Sequence, residues 1–172
     1  MNASVRIRQE YPPDRDAIWR VNQEAFGGSA EADLVDALRN GGFAAVSLIA
    51  EVDGRIVGHI MFSEVTIQTN KVPFEILSLA PMAVLPRFQR QGIGSALVEA
   101  GIEECRKLGY SSIVVLGHPE FYPRFGFSSD LASRLSCPFG SGEAWMALEL
   151  VPGALEGVTG MVQYPAPFDV FN

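Results

Sequence analysis

The stretch Gln89-Arg90-Gln91-Gly92-Ile93-Gly94 decides the fold, because it joins an apolar strand to an amphipathic helix. The periodicity predicts the strand over Ile76 to Val84 and the helix over Gly92 to Leu108. Free backbone N–H groups at such a helix start point outward together, and the helix dipole adds to their positive potential. The stretch therefore predicts a pyrophosphate-binding loop, with Arg87 and Arg90 adding charge.

The alternative interpretation is that the two glycines only tighten a turn between a strand and a helix, which is the commoner use of an isolated G-x-G. The segments on either side favour the phosphate site. The helix has an apolar face, predicted at Leu97, Val98, Gly101, Ile102, Cys105 and Leu108. Ser112 to Leu116 follows and is apolar and β-branched at its centre, which is typical of a strand buried on both faces.

The rest of the chain predicts a mixed α/β fold. Val5 and Ile7 mark a short first strand, two helices follow it, and Asp53-Gly54 between two apolar runs predicts a hairpin. Pro81 lacks an N–H, which predicts a bulge or bend in the strand before the loop. A last strand is expected near Trp145 to Leu150. We expect one domain over 1–172, with a core of about 4–151 and a Gly- and Pro-rich surface tail over 152–172.

Composition excludes several classes of function. The formal charge of −7 leaves no basic face for a phosphate backbone, so a nucleic-acid partner is not expected. No apolar run approaches the roughly 18 residues of a membrane helix, and the first residues lack a signal core, so we expect a cytoplasmic protein without a membrane partner. Cys105 and Cys137 stand in no Cys/His cluster, so neither a metal site nor a disulfide is predicted.

Two motifs resemble those of the GNAT superfamily of N-acetyltransferases. Gln89 to Gly94 matches the Q/R-x-x-G-x-G/A signature, and Tyr122 to Phe127 matches its Y-x-x-x-G-F element, one helix and one strand further along. Pro81 to Pro86, Leu116 to Phe127 and Leu148 to Leu155 resemble the YhbS-like branch of that superfamily. The resemblance thus spans nearly the whole chain.

The resemblance implies an acyl-CoA N-acyltransferase fold, a twisted mixed sheet with flanking helices that splays open between its fourth and fifth strands. Acetyl-CoA, the implied co-substrate, enters that opening. The residues implied to pair with the pantetheine are Met82, Ala83 and Val84. The residues implied to hold the pyrophosphate are Gln89, Arg90, Gln91, Gly92, Ile93, Gly94 and Ser95.

The implied chemistry is direct attack of a primary amine on the thioester. Tyr122 matches the family's tyrosine near the sulfur, where a phenol can protonate the departing thiolate. Glu75 is our candidate general base, since a carboxylate beside apolar strand residues can have a raised pKa. Glu64, His118 and a water molecule are the alternatives, and the family's usual place for an acid on the fourth strand falls nearer Ser78. His59, inside a hairpin strand, is predicted to be structural.

Two other functions would use related motifs. A dinucleotide-binding domain would need G-x-G-x-x-G, which does not occur here. A non-catalytic acyl-CoA sensor of the same fold would keep the motifs and lose turnover. The acceptor amine is open, although acidic residues at Glu31, Asp33 and Asp36 favour a cationic one, and so is the choice between a monomer and a homodimer.

Overall fold

A computed structural model describes residues 4–172 of the 172-residue chain; residues 1–3, which the predicted single domain includes, lie outside that range. The α-helices are α1 (Arg15–Phe26), α2 (Ala30–Asn40) and α3 (Ile93–Lys107). The strands are β1 (Val5–Gln9), β2 (Ala44–Val52), β3 (Arg55–Gln68), β4 (Phe74–Val84), β5 (Ser112–Leu116), β6 (Leu135–Ser136), β7 (Trp145–Glu149) and β8 (Gly160–Gln163).

The sheet is mixed. Its strand order is β1-β2-β3-β4-β5-β7, and β8 pairs with β3 and β6. β4 and β5 run parallel and pair at Leu77 with Ile113 and at Ser78 with Val114. β1 pairs with β2, and β5 with β7, in antiparallel fashion. This arrangement confirms the predicted α/β class with a mixed sheet.

The described residues form two compact units. The first comprises the chain up to Phe62 together with Ala80–Cys105, and the second comprises Ser63–Leu79 and Arg106–Asn172. β3, β4 and α3 each contribute residues to both units.

The first unit contains the predicted hairpin and the helix that follows the phosphate loop. β2 ends at Val52 and β3 begins at Arg55, so the turn lies at Asp53-Gly54 as predicted. Gly101 on α3 faces Phe62 on β3 so closely that a Cβ at position 101 would overlap the phenyl ring. The predicted apolar face of α3 is therefore a packing face.

Leu108 departs from the prediction for this helix. It was expected on the apolar face, but it is 57% exposed. The reason is that α3 ends at Lys107, and Gly109 then turns the chain with a φ of 87°. The helical periodicity that would have turned Leu108 inward has stopped by that point.

The second unit has its own apolar core. Its buried members are Val65, Ile67, Ile76, Val114, Ala132, Leu135, Trp145, Ala147, Leu155 and Val162. The indole Nε1 of Trp145 donates to the carbonyl of Leu135 at 2.9 Å, which satisfies the one polar atom of that buried side chain.

The C-terminal segment differs from the predicted surface tail. Gly160–Gln163 forms β8, which pairs antiparallel with Thr66 to Gln68 on β3. Leu155, Val162 and Phe168 are buried. Short strands of this kind, β6 included, take their stability from partners distant in sequence, and local periodicity over two to four residues does not reveal them.

Candidate functional site

The predicted phosphate loop lies between the end of β4 and the start of α3. The short 3-10 helix Pro86–Phe88 follows β4, and the first helical hydrogen bond of α3 runs from the N–H of Ala96 to the carbonyl of Gly92 at 3.0 Å. The amides of Ile93, Gly94 and Ser95 precede that bond and so lack intrahelical acceptors. They form the predicted cluster of free donors at a helix N-terminus.

Gly92 is the loop residue whose conformation needs glycine. Its φ is 85°, and a Cβ placed on it would have no heavy atom within 4 Å. The surroundings of Gly92 are therefore open on the side where a side chain would stand. Arg90 also has a positive φ, 61°, which L-residues with side chains adopt only at a cost.

Two glutamines hold the loop together. Gln89 Nε2 donates to the carbonyl of Val84 at 2.9 Å, and Gln91 Nε2 donates to the carbonyl of Arg87 at 3.2 Å. The sequence placed both glutamines among the pyrophosphate ligands. In the structure their side chains fix the backbone of the loop, while Arg87 and Arg90 are exposed beside it.

The three residues predicted to pair with pantetheine lie at the end of β4. Met82 is half-buried, and Ala83 and Val84 are buried. The Ala80–Pro81 peptide bond just before them is cis. All of these residues belong to the same unit as the phosphate loop.

Tyr122 begins a short 3-10 helix, Tyr122–Phe125, in the second unit. It is 6% exposed, and its ring packs edge-on against Phe121 and Phe127 with centroid distances of 5.0 and 5.7 Å. A Cβ on Gly117 would overlap the Tyr122 ring, so residue 117 must lack a side chain. The ring is thus held in one orientation by its neighbours.

The hydroxyl of Tyr122 is a neutral donor. Burial raises the pKa of Tyr122 to about 12. The hydroxyl forms no hydrogen bond with residues 4–172. A phenol that keeps its proton at neutral pH and has no protein acceptor is suited to act as an acid and unsuited to act as a base.

The candidate bases lie in different surroundings. Glu75 is exposed on β4, and its carboxylate forms no hydrogen bond or ion pair with the described residues. Glu64 accepts a hydrogen bond from the hydroxyl of Tyr110. The backbone carbonyl of His118 accepts from the amides of Phe121 and Tyr122 at 3.1 and 3.3 Å, while its ring is exposed. Among these candidates, Glu75 has the carboxylate with no partner.

Ser78 and Tyr164 form a pair that the sequence did not indicate. Ser78 is 2% exposed on β4, and its hydroxyl is the neighbour that lowers the pKa of Tyr164. The Tyr164 hydroxyl also lies 3.7 Å from Sγ of Cys137. The pKa of Tyr164 is raised mainly by burial. The position on the fourth strand nearest the family's usual acid is therefore occupied by a hydroxyl paired with the C-terminal segment.

A polar network in the first unit consists of Asn22 and His59, which are buried, and Ser47, Glu10 and Arg39, which are half-buried. Asn22 Nδ2 lies 3.2 Å from His59 Nδ1 and also donates to the carbonyl of Ile18, so Nδ1 is the acceptor and Nε2 carries the proton. His59 Nε2 lies 2.9 Å from Ser47 Oγ, whose hydroxyl donates to Glu10. Arg39 Nε donates to Glu10 at 2.8 Å. The network therefore links α1 and α2 to the strands β2 and β3.

The polar network around His59 predicts that the free energy of unfolding decreases in acid. Burial, and then the charge of Arg39, lowers the pKa of His59 from 6.5 to about 3. Between about pH 3 and pH 6.5, His59 is therefore protonated in the unfolded protein and neutral in the folded protein. The free energy of unfolding should fall with pH in that window by up to about 1.4 kcal/mol per unit. Denaturant titrations at several pH values should show this dependence of the free energy of unfolding in the wild type and not in His59→Gln.

The control variant is His118→Gln, which removes the exposed histidine and should keep the slope. Asp14 also titrates differently on folding, because its hydrogen bond from Arg8 lowers its pKa from 3.8. Measurements above about pH 5, where that carboxyl is ionised in both the folded and the unfolded state, keep it out of the comparison. An equal slope in the wild type and His59→Gln would contradict the assignment.

The acidic residues of α2 are only partly available. Asp33 accepts from the indole Nε1 of Trp19 at 3.0 Å, and Asp36 pairs with Arg39 at 2.9 Å. Glu31 is half-buried and has no hydrogen-bond or ion-pair partner among residues 4–172. Of the three carboxylates expected to attract a cation, Glu31 is the one left free to do so.

Metal and thiol chemistry find little support within the described residues. From 4 to 172 there is no group of three His, Cys, Asp or Glu side chains that could hold a metal ion. Cys105 and Cys137 are free, and burial raises the pKa of Cys105 to about 12, which keeps that thiol protonated. None of the helices in this part of the chain is long and apolar enough to cross a membrane.

Known proteins resemble the chain over nearly its whole length. The sequence profile of the Acetyltransferase (GNAT) family matches residues 7–127. The uncharacterized N-acetyltransferase YhbS of Escherichia coli strain K12 is 36% identical over 167 residues, which cover 96% of this chain and 99% of YhbS.

Solved structures agree with this. The crystal structure of Escherichia coli YhbS in complex with CoA has a TM-score of 0.90 at 34% identity and covers 100% of this chain and 96% of that one. A GNAT-family acetyltransferase from Brucella melitensis in complex with acetyl-CoA has a TM-score of 0.80 at 33% identity, over 98% and 100% of the two chains. The chain therefore belongs to the GNAT family of acetyltransferases.

Proposed function

We propose that this protein transfers the acetyl group of acetyl-CoA to a primary amine. The observation that carries the proposal is the cluster of free amides of Ile93, Gly94 and Ser95 at the start of α3, next to the open surroundings of Gly92. Relatives that share a third of the sequence have been crystallised with CoA and with acetyl-CoA. A pyrophosphate is the group of CoA that such a loop would hold.

In this proposal the loop from Gln89 to Ser95 holds the pyrophosphate, mainly through its backbone. Gln89 and Gln91 keep the loop in shape, and Arg87 and Arg90 add positive charge in a protein of net charge −7. Met82, Ala83 and Val84 would pair with the amides of pantetheine through backbone groups. These contacts bind and orient the donor and leave the chemistry to other residues.

The reaction is a direct transfer. The amine nitrogen attacks the thioester carbon, the C–S bond breaks, and the departing thiolate takes the proton of the Tyr122 hydroxyl. Solvent then returns a proton to Tyr122. Tyr122 is protonated before each turnover, as a general acid must be, and burial, which raises its pKa to about 12, makes it a weaker acid than free tyrosine.

Glu75 is proposed to remove the proton of the attacking amine. Glu75→Gln should lower kcat/KM by about tenfold, less than the usual 10²–10⁴-fold for a general base, because an exposed position lets water take over. The pH–rate profile of both proteins measures this. Ser78→Ala is the matched variant on the same strand and should keep wild-type kcat/KM. Unchanged activity in Glu75→Gln would remove Glu75 from the mechanism.

The acceptor is proposed to be a primary amine, with a preference for a cationic one. The free carboxylate of Glu31 supports that preference. Because Asp33 and Asp36 already have partners, we expect the preference to be small. A best acceptor that is neutral overall would overturn it.

Thiol release tests the proposed function. Purified protein is mixed with acetyl-CoA and, separately, with polyamines, aminoglycosides, small primary amines and peptides with free amino termini. We expect free CoA thiol to appear only with the accepted amine class. Binding of CoA without thiol release from any of these amines would favour an acyl-CoA sensor.

A further inference from the structure

A cavity of about 200 Å³ lies in the first unit, against one face of α1. It is lined by Ala17, Arg20, Val21, Glu24, Arg55, Ile56 and Leu85. The four residues from α1 follow the i, i+3, i+4, i+7 spacing, so they form one continuous helix face. Arg55 and Ile56 begin β3, and Leu85 follows β4. The volume is below the roughly 300–1,000 Å³ of sites for drug-sized molecules, so it suits a small metabolite.

The charged side chains of this cavity have no partners in the protein. Arg20, Glu24 and Arg55 are exposed, and none of their side chains forms a hydrogen bond or ion pair with any residue from 4 to 172. By contrast, Arg8 and Arg39 in the same unit are paired with carboxylates at 2.7 to 2.9 Å. Two unpaired guanidinium groups at one cavity are thus available to a ligand.

The arrangement of charge and apolar surface specifies the ligand. Guanidinium groups bind carboxylates through paired hydrogen bonds. Glu24 offers a carboxylate to an ammonium group and would repel a dianion such as phosphate. Val21 and Leu85 are buried and Ile56 is half-buried, so they supply an apolar wall. We propose that this cavity binds a free α-amino acid with an apolar side chain, its carboxylate at Arg20 and Arg55 and its ammonium at Glu24.

The proposal does not depend on acetyl transfer, so it is tested without acetyl-CoA. Calorimetric titration of the full chain with L-leucine at millimolar concentration should show saturable binding. L-Leucinamide lacks the carboxylate and 4-methylpentanoate lacks the ammonium, and each should bind roughly tenfold more weakly or worse. Absence of binding by L-leucine, L-valine and L-methionine would overturn the proposal, as would binding of either analogue as tight as that of L-leucine.

Variants separate the site from non-specific binding. Arg55→Gln and Glu24→Gln should each weaken L-leucine binding by about tenfold or more, since each removes one charge-assisted contact. Arg15→Gln removes an exposed arginine of the same helix that does not line the cavity and should leave binding unchanged. Equal loss in all three variants would contradict the assignment. CoA titration of each variant serves as the check that the phosphate loop is intact.

Discussion

Replacing Tyr122 with phenylalanine is expected to lower kcat by about 10²–10⁴-fold at saturating acetyl-CoA and amine, the usual contribution of a general acid. The reason is that the change deletes one hydroxyl and keeps a ring that is packed by Phe121, Phe127 and Gly117. That hydroxyl has no hydrogen-bond partner among the described residues, so its loss breaks no contact within them. Acetyl-CoA affinity should therefore change little.

The matched control is Tyr164→Phe, which removes the hydroxyl of a half-buried tyrosine packed against the core of the second unit. That change loses the contacts with Ser78 and Cys137 and should cost about 1 kcal/mol of stability, with kcat kept within a few-fold. Single-turnover kinetics must show that the chemical step limits the rate. Wild-type kcat in Tyr122→Phe under that condition would leave Tyr122 as a packing residue.

Gly94→Val is expected to weaken CoA binding by roughly a hundredfold or more, because a branched side chain in the first turn of α3 would displace the pyrophosphate from several charge-assisted hydrogen bonds. The fold should be unaffected. Gly94 is the second residue of the helix, where valine has the better helix propensity. Titration calorimetry with CoA measures the loss, and circular dichroism checks the fold.

A pair of glycines provides the control for backbone strain. Gly92 and Gly109 flank α3, have φ values of 85° and 87°, and would each place a Cβ in open space. Alanine should therefore strain both positions equally. We expect Gly92→Ala to weaken CoA binding and Gly109→Ala to leave it unchanged. Unchanged CoA affinity in a folded Gly94→Val protein would show that the phosphate site lies elsewhere.

Local signals were sufficient for the elements nearest the site. The Asp53-Gly54 turn, the buried β5 and the helix after the loop were predicted because a few adjacent residues encode each of them. The free amides at the start of α3 were predictable for the same reason, since all of them come from one continuous segment. Such local signals do not fix where a segment ends, which is why Leu108, just after the end of α3, was expected to be buried and is exposed.

The features that were missed depend on residues far apart in the chain. β8 exists because β3 and β6 pair with it, and nothing within its four residues indicates a strand. The contact of Tyr164 with Ser78 joins positions 86 residues apart, and the His59 chain draws on α1, α2 and the strands. The sequence did not single out one general base, because neighbouring strands set the surroundings of Glu64 and Glu75.

The central claim is that the acetyl group moves from acetyl-CoA to an amine on this protein. Its most direct test is a reaction with isotopically labelled acetyl-CoA and the best amine from the acceptor screen, followed by mass spectrometry. We predict one labelled N-acetylated amine for every CoA thiol released, with both products lost together in Tyr122→Phe. Thiol release without a labelled amine, or tight acetyl-CoA binding without either product, would contradict the claim.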